Sequence, residues 1–272
     1  MCFWKECKIM SKNQFGKVST LSLDVDFKEE KTYLRDVSFT APYKIMQPFP
    51  MEKGGIQVML LSASAGIMEG DCQDFSFHIR SGARMEFFSQ SYDKIHQMRE
   101  GCAVRKTAVH LEPGTFFRYC PQPTIPFKDS AFESRMEISL SDETSRFQMG
   151  EILSCGRYAR GERFAYRFYH NLVEIRRKGR LIYRDNSRYD PDLFPMEGMG
   201  MYEDYTHLSN LFFTRPSSPD FPGQVQKLLE KGEDWEGAVT ELSEGDFAVR
   251  IFGRRAQVLE ELNQKLFKLS QE

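Results

Sequence analysis

The stretches "FHIRSGARMEFFSQ" (77–90) and "VHLEPGTFFRYCPQ" (109–122) align without a gap at an offset of 32 residues. Each has an apolar alternation, a glycine-containing turn and a second apolar run. A fainter copy, "ISLSDETSRFQM" (138–149), continues the series at an offset of 29. Units repeating every 20 to 50 residues bury their apolar faces against one another when stacked. The spacing therefore predicts a mainly β protein with a β-helix- or solenoid-like body of many short strands, or an elongated sandwich. The alternative is a chance likeness among amphipathic hairpins.

The rest of the first 200 residues has the same texture. In "LSLDVDF", Leu21, Leu23, Val25 and Phe27 alternate with Ser22, Asp24 and Asp26, the period of a half-buried strand. The pattern returns at Phe75, Phe77 and Ile79, at Phe132, Met136, Ile138 and Leu140, and at Phe164, Tyr166 and Phe168. "RSGAR", "EPGT", "SDETS" and Lys178-Gly179 supply the turns between runs. From about 215 the pattern changes. "TRPSSPDFPG" reads as a connector, "GQVQKLLEKG" as a short helix stopped by Gly232, "GAVTEL" and "DFAVRIF" as strands, and Val258, Leu259, Leu262, Leu266 and Leu269 as the apolar stripe of a final helix. The expected organisation is a β body over 1–214 and a helix-strand-strand-helix cap over 215–272, packed on it as one unit.

Composition narrows the function. The 272 residues are 40% hydrophobic, enough for a sizeable core, and 37 basic against 39 acidic residues leave no footprint for nucleic acid. No apolar run nears the roughly 20 residues of a spanning helix, and "MCFWKECKIMSKNQFGK" lacks a signal-like apolar core, so a cytoplasmic protein is expected. Cys2, Cys7, Cys72, Cys102, Cys120 and Cys155 have no zinc-ligand spacing. There is no G-x-S-x-G elbow, no GxGxxG and no P-loop, which leaves hydrolase, dinucleotide and nucleotide chemistry without a motif.

Carboxylates are the more informative residues. In "RFQMGEILSCGR" the two-residue period puts Glu151 on one face with Phe147, Met149 and Leu153, aiming an acid into an apolar layer. Such a group must be protonated, paired or bound to a cation. A salt bridge to Arg157 or Arg160 is the structural alternative. In "SASAGIMEGDCQDFSFHI" (62–79), Gly70 permits a positive-φ turn that presents Asp71 just before a strand, with Glu69, Cys72 and Asp74 nearby. Oxygen ligands beside a thiol suit a weak, open cation site, and an aspartate-capped polar turn is the alternative.

The order of seven blocks resembles the urease accessory protein UreD/UreH family over nearly the whole chain. They are "TAPYKIMQPFP" (40–50), "MLLSASAGIMEGD" (59–71), "SQSYDKIH" (89–96), "PQPTIPFKDSAF" (121–132), "GEILSCGRYARGE" (150–162), "IYRDNSRYDP" (182–191) and "MGMYEDYTHLSNL" (199–211). The resemblance implies a non-enzymatic chaperone with a β-helical body and two helices. It also implies binding to UreF, recruitment of UreG through UreF, docking on the urease apoprotein, and nickel in transit through an internal tunnel with no tightly bound cofactor. Asp71 and Glu151 fall where the family's tunnel acids fall, with Glu69, Asp74 and Cys72 as neighbouring candidates, and Lys94 and His96 as further ones for nickel handling. Spaced carboxylates that attract and release a cation suit such a path. Where many members have "GGD", this chain has "MEGD". A partner surface is expected in "MEGMGMYEDYTHLSNLFF", with Met201, Tyr202, Tyr205 and His207 as contacts, against the alternative of a buried strand. A β-helical carbohydrate-active enzyme is the competing function.

Overall fold

The alternation in "LSLDVDF" forms β1 (Ser19–Lys28), which buries Leu21, Leu23 and Val25 and turns back into β2 (Lys31–Phe39). The computed structural model describes residues 18–230 and 232–271, so Cys2 and Cys7 lie outside the described residues. Short strands β3 (Tyr43–Ile45) and β4 (Phe49–Pro50) precede β5 (Ile56–Ser62). The first repeat then supplies β6 (Cys72–Ile79), β7 (Arg84–Ser89) and β8 (Asp93–Ile95). The second supplies β9 (Ala103–Leu111), β10 (Phe116–Tyr119) and β11 (Thr124–Pro126), and the third β12 (Ala131–Leu140) and β13 (Arg146–Ser154). The hairpin β14 (Phe168–Arg177) and β15 (Arg180–Tyr189) and strand β16 (His207–Phe213) follow. The chain ends with α1 (Phe221–Leu229), β17 (Trp235–Glu241), β18 (Phe247–Gly253) and α2 (Ala256–Leu269).

These strands form two sheets. One has the order β15-β14-β12-β9-β6-β1-β2, and the path of the other is β17-β18-β16-β13-β10-β7-β5-β3. Within each repeat the chain passes from the first sheet to the second, so the glycine turns are corners between sheets and not hairpin loops. The reason is visible in the register. Strand β6 pairs in parallel with β9, Phe77 opposite Val109, and β7 pairs in parallel with β10, Met85 opposite Phe117. Backbone hydrogen bonds therefore run to the next repeat instead of across the turn. The third repeat keeps Val109 opposite Ile138 but sets Phe117 opposite Phe147, because its corner is one residue longer.

The inward faces meet in one core that includes Phe77, Phe87, Phe117, Tyr119, Phe147 and Phe212. Phe77 meets Phe87 edge-on with ring centroids 4.9 Å apart, and Phe117 meets Phe147 at 5.9 Å. Each buried phenyl ring contributes about 1.5–3 kcal/mol, so this ladder outweighs the few polar groups placed beside it. One expected strand is absent: Phe164 and Tyr166 are buried, but Phe164 has φ +50° and β14 begins only at Phe168. Packing of aromatic side chains, and not a ladder, spaces those residues.

The C-terminal elements follow the sequence closely. Strands β17 and β18 extend the second sheet through β16, and Leu259, Leu262, Leu266 and Phe267 of α2 pack with Phe221, Val225 and Leu229 of α1 and Val249 and Ile251 of β18. Arg177, at the end of β14, donates to Asp246 at 2.9 Å and to Glu244 at 2.7 Å. The Arg177 and Asp246 side chains are 2% and 1% exposed, so this pair joins the first sheet to the edge of β18 across the core. No helix among the described residues is long and apolar enough to cross a membrane.

Candidate functional site

Between the two sheets runs a line of polar groups. Arg105, on the inward face of β9, donates from Nε to Gln73 Oε1 at 2.7 Å and from Nη1 to Asp93 Oδ2 at 2.7 Å. Burial pulls its guanidinium pKa down, but Asp93 and the phenols of Tyr119 and Tyr43 outweigh that, so the group stays charged. Two small cavities, each of about 20 Å3, or room for about one water, share Arg105 and Pro121 as walls. One is lined by Tyr43, Ser89, Ser91 and Asp93. The other holds Glu151, Asn171, Asn210 and Tyr169. The second shares Pro121, Gln122 and Ile152 with a cleft of about 300 Å3 lined also by Glu260 and Asn263 of α2.

Glu151 projects from β13 into this line, on the face of Phe147 and Met149 as its spacing predicts. Its Oε2 accepts a hydrogen bond from Asn171 Nδ2 at 3.0 Å. The expected arginine alternative is not realised by Arg157, which binds Glu162 bidentately. Glu151 lines the cavity, whose wall also carries Asn171 and Asn210, with their buried Oδ1 atoms lacking a hydrogen-bond partner among the described residues. Burial raises the Glu151 pKa above its ordinary 4.5, with Asn171 and Arg105 opposing only in part.

That shift has a consequence for stability. The native chain holds a proton that the unfolded chain releases near pH 4.5, so this residue costs stability as pH rises from 4.5 through the higher folded value. Glu151→Gln is expected to raise the melting temperature, by about 2–4 °C for each kcal/mol relieved, and more at pH 8 than at pH 4.5. Thermal denaturation at the two pH values checks this. An equal difference at both would mean that Glu151 is not held protonated by its surroundings.

Asp71 lies half-buried just before β6 and lines neither of the two small cavities. Gly70 has the expected positive φ of +78°, and the Asp71 Oδ2 accepts the Met68 N–H at 2.8 Å, so the carboxylate caps its own turn. Burial also raises the Asp71 pKa. Its charge is felt by the Tyr43 phenol together with those of Arg105 and Asp93. Gly66 in the same loop is obligatory: at φ +150°, a Cβ there would stand 2.3 Å from the Lys94 carbonyl and 2.7 Å from the His96 ring. That close approach seats His96, whose Nε2 lies 3.0 Å from the Ala65 carbonyl and whose ring packs on Phe127. Lys94 is exposed on β8.

The other acids near Asp71 are placed differently from their expected role. Glu69 accepts three backbone N–H groups, from Arg99, Glu100 and Gly101, which lower its pKa and commit it to holding that loop. Asp74 is exposed on β6, and the partly buried Cys72 shares its side of the strand, while Gln73 turns inward to Arg105. Burial raises the Cys72 thiol pKa. Among the described residues no three of His, Cys, Asp and Glu form a group able to hold a metal. Sequence reading missed Asp93 and Arg105. Arg105 stands in the alternating "AVRKTAVHL", where an inward charge was as legible as that of Glu151.

The expected partner surface also needs revision. Tyr202 is 1% exposed and packs edge-on against Phe164, Tyr189 and Phe252, so it is core. Met201 packs against the same cluster, and Tyr205 stacks on Phe252. His207 lies mostly buried, which pushes its imidazole pKa down to about 4. The exposed apolar groups of this region are Leu193, Phe194 and Met199, the last 97% exposed, with Tyr158 nearby in sequence to Arg163, which pairs with Glu197.

The two sheets thus enclose a buried, acid-bearing site. The family model of the UreD urease accessory protein matches residues 17–272. The chain is 39% identical over 253 residues to a urease accessory protein UreD of Acetivibrio thermocellus, covering 92% of this chain and 96% of that one. It is 31% identical to a urease accessory protein UreH of Helicobacter pylori over 95% and 97% of the two chains, and 29% identical to a UreD of Flavobacterium johnsoniae over 89% and 88%. The chain belongs to the UreD urease accessory protein family, a family of maturation factors and not of enzymes. The carbohydrate-active alternative is thereby set aside.

Proposed function

We propose that this chain is a cytoplasmic chaperone of urease maturation that binds UreF, recruits UreG through it, docks on the urease apoprotein and lets nickel pass through its interior. The passage of the chain from one sheet to the other within each repeat, with parallel pairing between repeats, supports a β-helical winding for the described part of the 1–214 body, with 215–272 as a cap. The observation that carries the proposal is the run of Asp93, Arg105, Glu151 and Asn171 along two adjoining cavities between the sheets, with Asp71 near enough to Tyr43 for its charge to act on that phenol. Burying such groups is costly, and hydrophobic replacements would pack as well. Oxygen ligands separated along a path, each too few to hold a divalent ion tightly, suit transfer better than storage. Nickel is the cargo in this reading, and the protein supplies successive weak oxygen sites shielded from bulk solvent.

Arg105 stands in that path as a fixed positive charge. Passage past it requires Asp93 to exchange its guanidinium partner for the ion, which makes the Arg105–Asp93 contact the narrowest electrostatic point. The exposed Leu193, Phe194 and Met199 are the apolar groups that partner binding would cover in this reading. The test is urease activity and bound nickel in a host carrying the matching urease and accessory genes, with and without this chain. Loss of both on deletion, restored by supplying the gene, is the expected result. Unchanged activity without the chain would contradict the maturation role.

A further inference from the structure

The same stacking that builds the core also builds a basic cleft on the outer side of the second sheet. Register places Arg84 of β7, Phe116 of β10 and Arg146 of β13 in one row across three parallel strands. Adjacent strands lie about 4.8 Å apart, so the two arginine Cα atoms are roughly 10 Å apart with the phenyl ring between them. Arg84 stands over the Phe116 ring, its guanidinium carbon 4.8 Å from the centroid. These residues, with Arg215 and Ser217, line an open cleft of about 460 Å3.

Neither Arg84 nor Arg146 has a carboxylate within ion-pair distance among the described residues. Arg84 Nε is buried with no hydrogen-bond partner among those residues. Arg146 donates only to the backbone carbonyls of Thr214 and Arg215. The nearby Glu86 is occupied by Arg118 and Gln57, and Arg215 leans on Glu244 at 3.5 Å. Among the described residues Glu52 is the one acid lining the cleft. Burial lowers the pKa of both arginines, and the charge of Arg215 lowers that of Arg146 further. Two guanidiniums without an ion-pair partner among the described residues, beside a third that leans on Glu244, are an arrangement that an anion stabilises. Planar guanidinium forks match phosphate oxygens in pairs, and the cleft has the volume of a small-ligand site.

We propose that the Arg84–Phe116–Arg146 row is a binding site for a phosphate-class polyanion of pyrophosphate or nucleoside-diphosphate size. The anion bridges the guanidiniums of Arg84 and Arg146 above the Phe116 ring, with Arg215 closing the third side. Nothing in this assignment depends on the interior line, from which the second sheet separates it.

The test is calorimetric titration of the full chain with pyrophosphate, then with a nucleoside diphosphate, at constant ionic strength set with potassium chloride. Saturable binding is expected, weakened at least tenfold by Arg84→Gln or Arg146→Gln. Arg146→Gln removes a like-charge contact with Arg215 together with hydrogen bonds to the Thr214 and Arg215 carbonyls, so thermal denaturation of the variant accompanies its titration. Ser217→Glu, at an exposed position, adds a counter-charge to the cleft and should abolish binding without a change in stability. Tighter binding of the nucleotide than of pyrophosphate would locate the base in the rest of the cleft, and equal binding would assign the site to the phosphates alone; both support the proposal. Heat that only tracks ionic strength, affinity unchanged by the variants, or binding of an acidic peptide but of neither phosphate compound would overturn it.

Discussion

Arg105→Met is expected to destabilise the chain by about 3–5 kcal/mol, the range for removing one partner of a buried ion pair. The guanidinium is the joint hydrogen-bond partner of Gln73 and Asp93, and its side chain is 11% exposed. Methionine fills most of the volume but leaves the Asp93 carboxylate facing Tyr43 and Tyr119 without a cation. The double variant Arg105→Met/Asp93→Asn should recover part of the loss, because the surviving partner is then neutral. Urea denaturation of the single and double variants measures both. A loss under 1 kcal/mol for Arg105→Met would mean that Asp93 is solvated well enough to need no partner, and the inter-sheet line would then be wetter than its cavities imply.

Asp246→Ala should produce a loss of similar size, about 3–5 kcal/mol, because it removes the fully buried partner of Arg177. Arg177 would keep Glu244, whose side chain is 31% exposed, and the Arg215 N–H would lose its acceptor. The contrast is Glu143→Ala, which breaks a pair with Lys178 between side chains 43% and 58% exposed. That change should cost only about 0.2–1 kcal/mol. Urea midpoints of the two variants compared in one experiment test the ordering. Equal losses would mean that the clamp between β14 and β18 does not hold the two sheets together.

The repeats made the fold legible because stacking in parallel register forces equivalent residues into rows. Val109 sits opposite Phe77 on one side and Ile138 on the other, as the offsets of 32 and 29 predict. The same alignment could not reveal that its glycine turns are corners. A hairpin and a corner share turn chemistry, and only the pairing partner distinguishes them. Glu151 was legible because alternation fixes which face a side chain takes. Glu69 was not: its three N–H donors come from residues 99–101, some thirty positions away, and no local pattern records them. Tyr202 misled for a related reason, since aromatic and methionine content is shared by partner surfaces and by cores. Its ring contacts come from Phe164, Tyr189 and Phe252, all remote in sequence.

The polar line and the outer arginine row lie on opposite sides of the second sheet and follow from one device. Strands paired in parallel register set equivalent positions of successive repeats side by side, so a charge placed on an inward position joins an inward line, and one placed on an outward position joins an outward row.

The most direct measurement is nickel per urease active site matured under limiting nickel with Glu151→Ala and Asp71→Ala in place of the wild-type chain, each first shown to bind UreF normally. The interior path predicts a several-fold fall in both nickel content and activity for Glu151→Ala, with a smaller fall for Asp71→Ala, whose carboxylate also caps a turn. Maturation at the wild-type rate by both variants would contradict passage of the metal through the protein and leave it a scaffold.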